Sequence, residues 1–353
     1  MGALSQAPSS QDAPSKLAVV GQGKYGSESL FADAAFRSLV TACAIALLTV
    51  VGLIVFELVT QSRLSLQKFG FSFFTKSIWD PVQENFGALP SIYGTLVSSF
   101  LALLIAVPLS LGTALFITEL CPKSLKGILS VSVEMLAAIP SVIYGLWGIF
   151  VLAPFLRLHV QPLLARYLGP EGHVTNFFIG LGIPAKYLIW SGLFAGPRYG
   201  IGMLAAGIIL AIMILPIIAS ITREVILAVP RQQREAALAL GATRWEMLSM
   251  AVLRNARAGI LGAIILGLGR AMGETMAVTM LIGNRPEISR SLFAPGYTLS
   301  SVIANEFSEA NGTYLSALIE MALVLFVLTL IVNALAGLLV WSITRGTPSR
   351  AHA

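Results

Sequence analysis

The sequence predicts an all-α polytopic membrane protein with six transmembrane helices, and three observations carry that prediction. Hydrophobic residues make up 56% of the 353-residue chain and charged residues 11%, with a mean hydropathy of +0.83. A water-facing globule needs about a quarter of its residues charged, so lipid is the expected solvent. The charges that exist leave five long gaps and a sixth apolar stretch broken by two charges. Basic residues exceed acidic ones by 23 to 17, as expected where cytoplasmic loops collect Lys and Arg.

Crossing the hydrocarbon takes about 20 apolar residues as a helix. Residues 1–35 read as a tail, the first sixteen too rich in Ser, Gln, Ala and Pro to order themselves. Residues 38–56 hold no charge and place the first span at about 38–58. Residues 85–118 are also uncharged and give a long second span over 90–118. The runs 135–156, 199–222 and 321–344 supply the third and fourth spans and a last one at about 318–343. The stretch 258–284 is as apolar except for Arg270 and Glu274, and forms the fifth. Residues 172–185 are too short and too broken by Gly and Pro to cross, and read as an interfacial or re-entrant piece. Glu134 and Glu320 open the third and last spans and are expected at the water interface. Cys43, in the first span, reads as an apolar filler.

Six spans put both termini on one side. With loop 223–257 in the cytoplasm, 13 basic residues lie inside and 9 outside, which favours cytoplasmic termini. Residues 346–353 then form a cytoplasmic tail.

Several chemistries are excluded. Two cysteines and three histidines lack ligand spacing, and no Ser-His or His-x-x-x-His pair falls in a span, so an intramembrane enzyme has no nucleophile or metal set. Residues 21–26 (GQGKYG) match G-x-G-x-x-G, but a membrane span follows where a βαβ unit would be required. No P-loop occurs, so any ATP that drives the protein, with its Mg²⁺, binds another subunit. The basic charge sits on no soluble module, which argues against nucleic-acid binding.

The loop 223–257 is the most informative connection. Glu235 to Leu240 are strong helix formers, Gly241 suits a helix end, and Thr243 with Glu246 makes a capping box. A short helix, a turn and a second helix are expected along the membrane face. Glu235-Ala236-Ala237, three residues, then Gly241 resembles the "EAA" loop of ABC importer permeases, in which a coupling helix docks on the ATPase. The resemblance implies coupling roles for Glu235, Ala236, Ala237, Gly241 and Arg244. Downstream, the family's Ile-x-Leu-Pro appears as Ala251-Val252-Leu253-Arg254, so the expected proline is missing.

Residues 137–148 (AAIPSVIYGLWG), 267–278 (GLGRAMGETMAV) and Asn305-Glu306-Phe307 are similar to stretches in permeases of the phosphate-specific importers. Over residues 36–345 the resemblance implies a type-1 permease domain. It also implies a second homologous permease, a cytoplasmic ATPase dimer, an extracytoplasmic phosphate-binding protein, and phosphate as cargo. Another oxyanion, molybdate or sulfate, is the alternative. Arg270 and Glu274, four residues apart in one span, admit two readings: an ion pair that locks helices, or an anion pathway in which guanidinium binds phosphate oxygens.

Overall fold

The computed structural model describes residues 27–181 and 188–345. The Gly21–Gly26 match, residues 1–26 of the tail, residues 182–187 and the tail 346–353 lie outside them. The described residues are helical and contain no strand, only an isolated bridge between Asp80 and Asn85. Six helical stretches are long and apolar enough to cross a membrane: Asp33–Gln61, Leu89–Leu120, Ser141–Gly180, Met203–Leu227, Arg244–Gly273 and Gly312–Ser342. The protein is a multi-pass membrane protein.

The chain divides into two units, Met1–Val55 and Phe56–Ala353. In the first, the helix exposes its apolar side chains, Leu47 and Leu48 among them, at 68% and 69%. Cys43 is exposed too, so it fills no core within this unit.

In the second unit, the helix beginning at Leu89 packs along Met203–Leu227 through small residues. Ala102, Ala106, Ala206 and Ala211 are buried in their contact, and a Cβ on Gly207 would stand 2.5 Å from Leu101. Small residues let helices approach closely where lipid supplies no hydrophobic drive. Pro108 and Pro216 interrupt the two ladders, and Ser110 donates to the Leu215 carbonyl at 3.0 Å beside the second break.

Two span boundaries differ from the sequence reading. The run 135–156 straddles a break: one helix ends at Ala137 and the next starts at Ser141, after Pro140. A residue before proline is pushed out of the α region, which is why an uncharged run does not make one helix here. Glu134 therefore lies on the amphipathic helix Lys123–Ala137, paired with Arg223 at 2.8 Å. The fifth span is also interrupted, as described below.

Outside the spans, the segments near residues 60–84 and 285–315 pack together. Glu306 accepts hydrogen bonds from Trp79 Nε1 (2.7 Å), Tyr297 Oη (2.8 Å) and Tyr314 Oη (2.6 Å). Burial pushes the Tyr297 phenol well above its ordinary range, so it remains a donor to that carboxylate. Phe86 stacks on Tyr314, and Phe73, Trp79 and Phe86 are buried around them. The bonds account for Glu306 structurally: it ties the outer segments into one block.

Glu320 contradicts its expected interface position. It is 1% exposed, about two turns inside the helix that begins at Gly312. Its carboxylate meets the side chain of Ser65, without the geometry of a well-formed hydrogen bond. The side chain lines a cavity of about 240 Å³ with Leu66, Phe74, Ile92 and Val324.

Candidate functional site

The loop between the fourth and fifth spans is built from local signals. The helix Arg231–Ala239 ends in Gly241 at φ +84°, a conformation that L side chains adopt only with strain. Gly241 N–H donates to Leu238 O (3.0 Å) and Ala242 N–H to Ala237 O (3.2 Å), the paired bonds of a Schellman ending. Thr243 then caps the next turn: its N–H donates to Glu246 Oε2 at 2.8 Å, and Glu246 N–H donates to its hydroxyl at 3.3 Å. Without the family's proline, the chain runs through a π-helical turn at Met247–Leu253 directly into Arg254–Gly273.

Glu235, Ala236, Gly241 and Arg244 are exposed, whereas Ala237 packs towards Ala114, Ile226, Val229 and Met247. Leu238, Leu240 and Trp245 are exposed at 45%, 89% and 69%. Exposed aromatic and aliphatic side chains beside arginines have the composition of the centre of a protein interface. Two fastenings hold this surface to the bundle, and neither follows from the loop's own motif. Arg234 Nη1 lies 2.7 Å from Glu119 Oε1, an ion pair without hydrogen-bond alignment, and its Nη2 donates to the Ile226 carbonyl at 2.6 Å. Asn255 Nδ2 donates to Gln233 Oε1 at 2.6 Å.

The second region surrounds Arg270, in the last turn of the helix Arg254–Gly273. The guanidinium is exposed, and no carboxylate among the described residues forms an ion pair with it. This corrects the shared-face expectation for Glu274. The helix ends at Gly273, Glu274 is extended (φ −69°, ψ 127°), and a new helix runs Met276–Leu281. A four-residue spacing aligns two side chains only while the helix continues. Glu274 instead turns to the second helix: its Oε1 accepts from Ala277 N–H at 3.4 Å, and its carbonyl accepts from the Ser300 hydroxyl at 2.8 Å. A carboxylate suits that position, where helix N-terminal N–H groups are unpaired.

Arg270 lines a cavity of about 540 Å³ with Ile217, Gly262, Ile265, Leu266, Gly269 and Asn333. Gly262 and Gly269 contribute no side chain to fill it. Arg270 is thus an exposed cation with no carboxylate partner, on a cavity otherwise walled by glycine, aliphatic groups and one amide, and its guanidinium is free to meet an anion there. Asn333 had no place in the sequence reading. Its only signal there was being the single amide in the uncharged run 321–344.

Residues 106–345 match the family described as binding-protein-dependent transport system inner membrane component. A chain from Mesorhizobium japonicum named "Phosphate transport system permease protein PstC" is 50% identical over 305 residues, covering 86% of this chain and 88% of that one. One of the same name from Haemophilus influenzae is 44% identical over 308 residues, covering 87% and 93%. A probable protein of that name from Methanocaldococcus jannaschii is 37% identical, covering 76% and 81%. Among solved structures, a bacterial ABC transporter involved in the import of the acidic polysaccharide alginate aligns at a TM-score of 0.49. It is 19% identical and covers 89% of this chain and 99% of that one.

Proposed function

Since the chain belongs to the family of binding-protein-dependent transport system inner membrane components, we propose that it is the permease subunit of an ATP-driven phosphate importer. The observation that carries the reading is the unpaired Arg270 on its cavity, in a chain up to 50% identical to proteins named as phosphate permeases. A molybdate or sulfate permease is disfavoured by those same names.

The chain itself is a transport subunit. In the proposed complex it shares the pathway with a second, homologous permease, and an extracytoplasmic binding protein delivers phosphate. A cytoplasmic ATPase dimer binds ATP and Mg²⁺ and grips the surface formed by Glu235, Ala236, Gly241, Arg244 and Trp245. Both termini then face the cytoplasm of a bacterial cell. Arg270 offers its planar fork of donors to phosphate oxygens and offsets part of the dehydration cost at membrane depth. Glu274 contributes by holding the helix break behind Arg270. Charge on the cavity is kept to one cation, which favours passage over trapping.

Purification of the tagged chain in mild detergent tests the proposal. An ATPase and a second permease co-purify, and phosphate-loaded binding protein stimulates ATP hydrolysis. Stimulation by sulfate or molybdate, with none by phosphate, overturns the reading.

A further inference from the structure

A groove of about 270 Å³ lies where the third span gives way to the approach to the fourth. Ile149, Ala153, Leu158 and Ile201 form its apolar walls, and Arg157 and Tyr199 supply its polar groups. Tyr199 and Ile201 stand just before the fourth span, Met203–Leu227, whose other end leads into the coupling loop. The groove therefore sits at the membrane face opposite that loop. Gly200 builds it. Its φ is +82°, and a Cβ there would collide with the Ala153 carbonyl and stand 3.0 Å from Arg157 Cβ. Glycine permits this approach, and Gln161 Oε1 fastens it by accepting from Gly200 N–H at 3.1 Å.

The groove is graded in polarity. Ile149 lies about two helical turns before Arg157, so the apolar walls run towards the hydrocarbon and the cation stands at its edge. Phe150, Phe155 and Leu158 are exposed on the same stretch, as on a surface that meets a membrane. Arg157 and Tyr199 are exposed as well, so a ligand in the groove can reach both. Arg157 forms no ion pair among the described residues. Arginine keeps its stem on apolar surface and its head at the membrane boundary, where tyrosine also collects. A free inorganic anion would meet the guanidinium and leave the walls bare, whereas a phospholipid satisfies both.

We propose that this groove holds an anionic phospholipid of the leaflet opposite the coupling loop. Its phosphodiester accepts hydrogen bonds from the Arg157 guanidinium and the Tyr199 hydroxyl, and an acyl chain lies along Ile149, Ala153 and Leu158. A head group with its own ammonium fits less well, because Arg157 repels that charge. So bound, the lipid ties the end of the third span to the segment entering the fourth. The site uses no transported anion, so the inference goes beyond the transport reading and stands without it.

The test is native mass spectrometry of the full chain with its partner subunits in mild detergent, titrated with phosphatidylglycerol and, separately, with phosphatidylcholine. The wild type is expected to bind phosphatidylglycerol more tightly. Arg157→Gln lowers that affinity about tenfold to a hundredfold, the range for a hydrogen bond to a charged partner, and Arg157→Lys recovers part of it. Tyr199→Ala, at an exposed position, costs about threefold to tenfold and carries the test if Arg157→Gln does not assemble. Arg290→Gln, which removes an exposed arginine that does not line the groove, leaves the affinity unchanged. Equal affinity for the two lipids overturns the inference, as does wild-type affinity in both Arg157→Gln and Tyr199→Ala, or an equal loss in Arg290→Gln. Displacement of the lipid by inorganic phosphate overturns it by assigning the groove to a free anion. A wild-type complex that binds no phosphatidylglycerol overturns it by assigning the groove to a partner subunit. Phosphate uptake is not among the readouts, so either proposal can fail without the other.

Discussion

The coupling surface and Arg270 are only some 25 residues apart in the chain, yet the loop and the cavity are built by opposite means. The loop from Arg231 to Glu246 is specified by residues three to five positions apart: the Schellman bonds around Gly241 and the capping box between Thr243 and Glu246. The cavity gathers Ile217, Gly262, Arg270 and Asn333 from three separate spans. One region exposes apolar side chains for a partner; the other keeps an unpaired cation for a small anion. Local hydrogen bonds make a rigid handle, and long-range packing makes a site.

If the handle transmits ATPase motion, reversing its charge has the largest effect on this side of the molecule. Glu235→Lys places a like charge into a docking contact, a change that costs several kcal/mol. Uptake is expected to fall about a hundredfold or more while membrane insertion persists. Normal uptake with normal ATPase association removes the coupling role.

A smaller loss is expected where the handle is fastened. In Glu119→Gln the Arg234 guanidinium, 19% exposed, loses its carboxylate, which weakens the attachment by about 2 kcal/mol. Thermal unfolding of the purified complex should show the drop, and ATP hydrolysis should continue with less phosphate moved per ATP. Unchanged stoichiometry would separate that ion pair from coupling.

The smallest effect belongs to Glu320, which lies in neither region. It is buried with no well-formed hydrogen bond, meeting only the side chain of Ser65, so Glu320→Leu removes a desolvated polar group. Stability is expected to stay level or rise by about 1 kcal/mol, with uptake unchanged. A clear loss of uptake would give this acid a task and extend the functional region beyond Arg270.

The contrast between the two regions also explains what the sequence disclosed. Gaps between charges locate helices because lipid penalises charge anywhere along a span, and the turn after Ala239 follows from Gly241 and Thr243. The same gaps are silent on breaks. Nothing in the charge pattern distinguishes the kink at Ile139-Pro140 from a continuing helix. Gly273-Glu274-Thr275 likewise reads as helix until Ser300 and Ala277 are seen to engage Glu274. The Arg270–Glu274 pair was therefore expected from a continuity that tertiary contacts abolish. Arg234–Glu119 and Asn333–Arg270 were unreadable for a simpler reason: each joins side chains far apart in the chain, and one sequence does not record such proximity.

Phosphate uptake by Arg270→Gln, set against the wild-type complex, tests the central claim most directly. Glutamine retains a donor of similar reach and removes the charge and the fork. The account predicts a complex that assembles, binds its partners and hydrolyses ATP, but imports phosphate at least about a hundredfold more slowly, as befits loss of the one charged, forked donor on the cavity. Import at the wild-type rate by that assembled variant would contradict the pathway, because no other cation lines the cavity among the described residues.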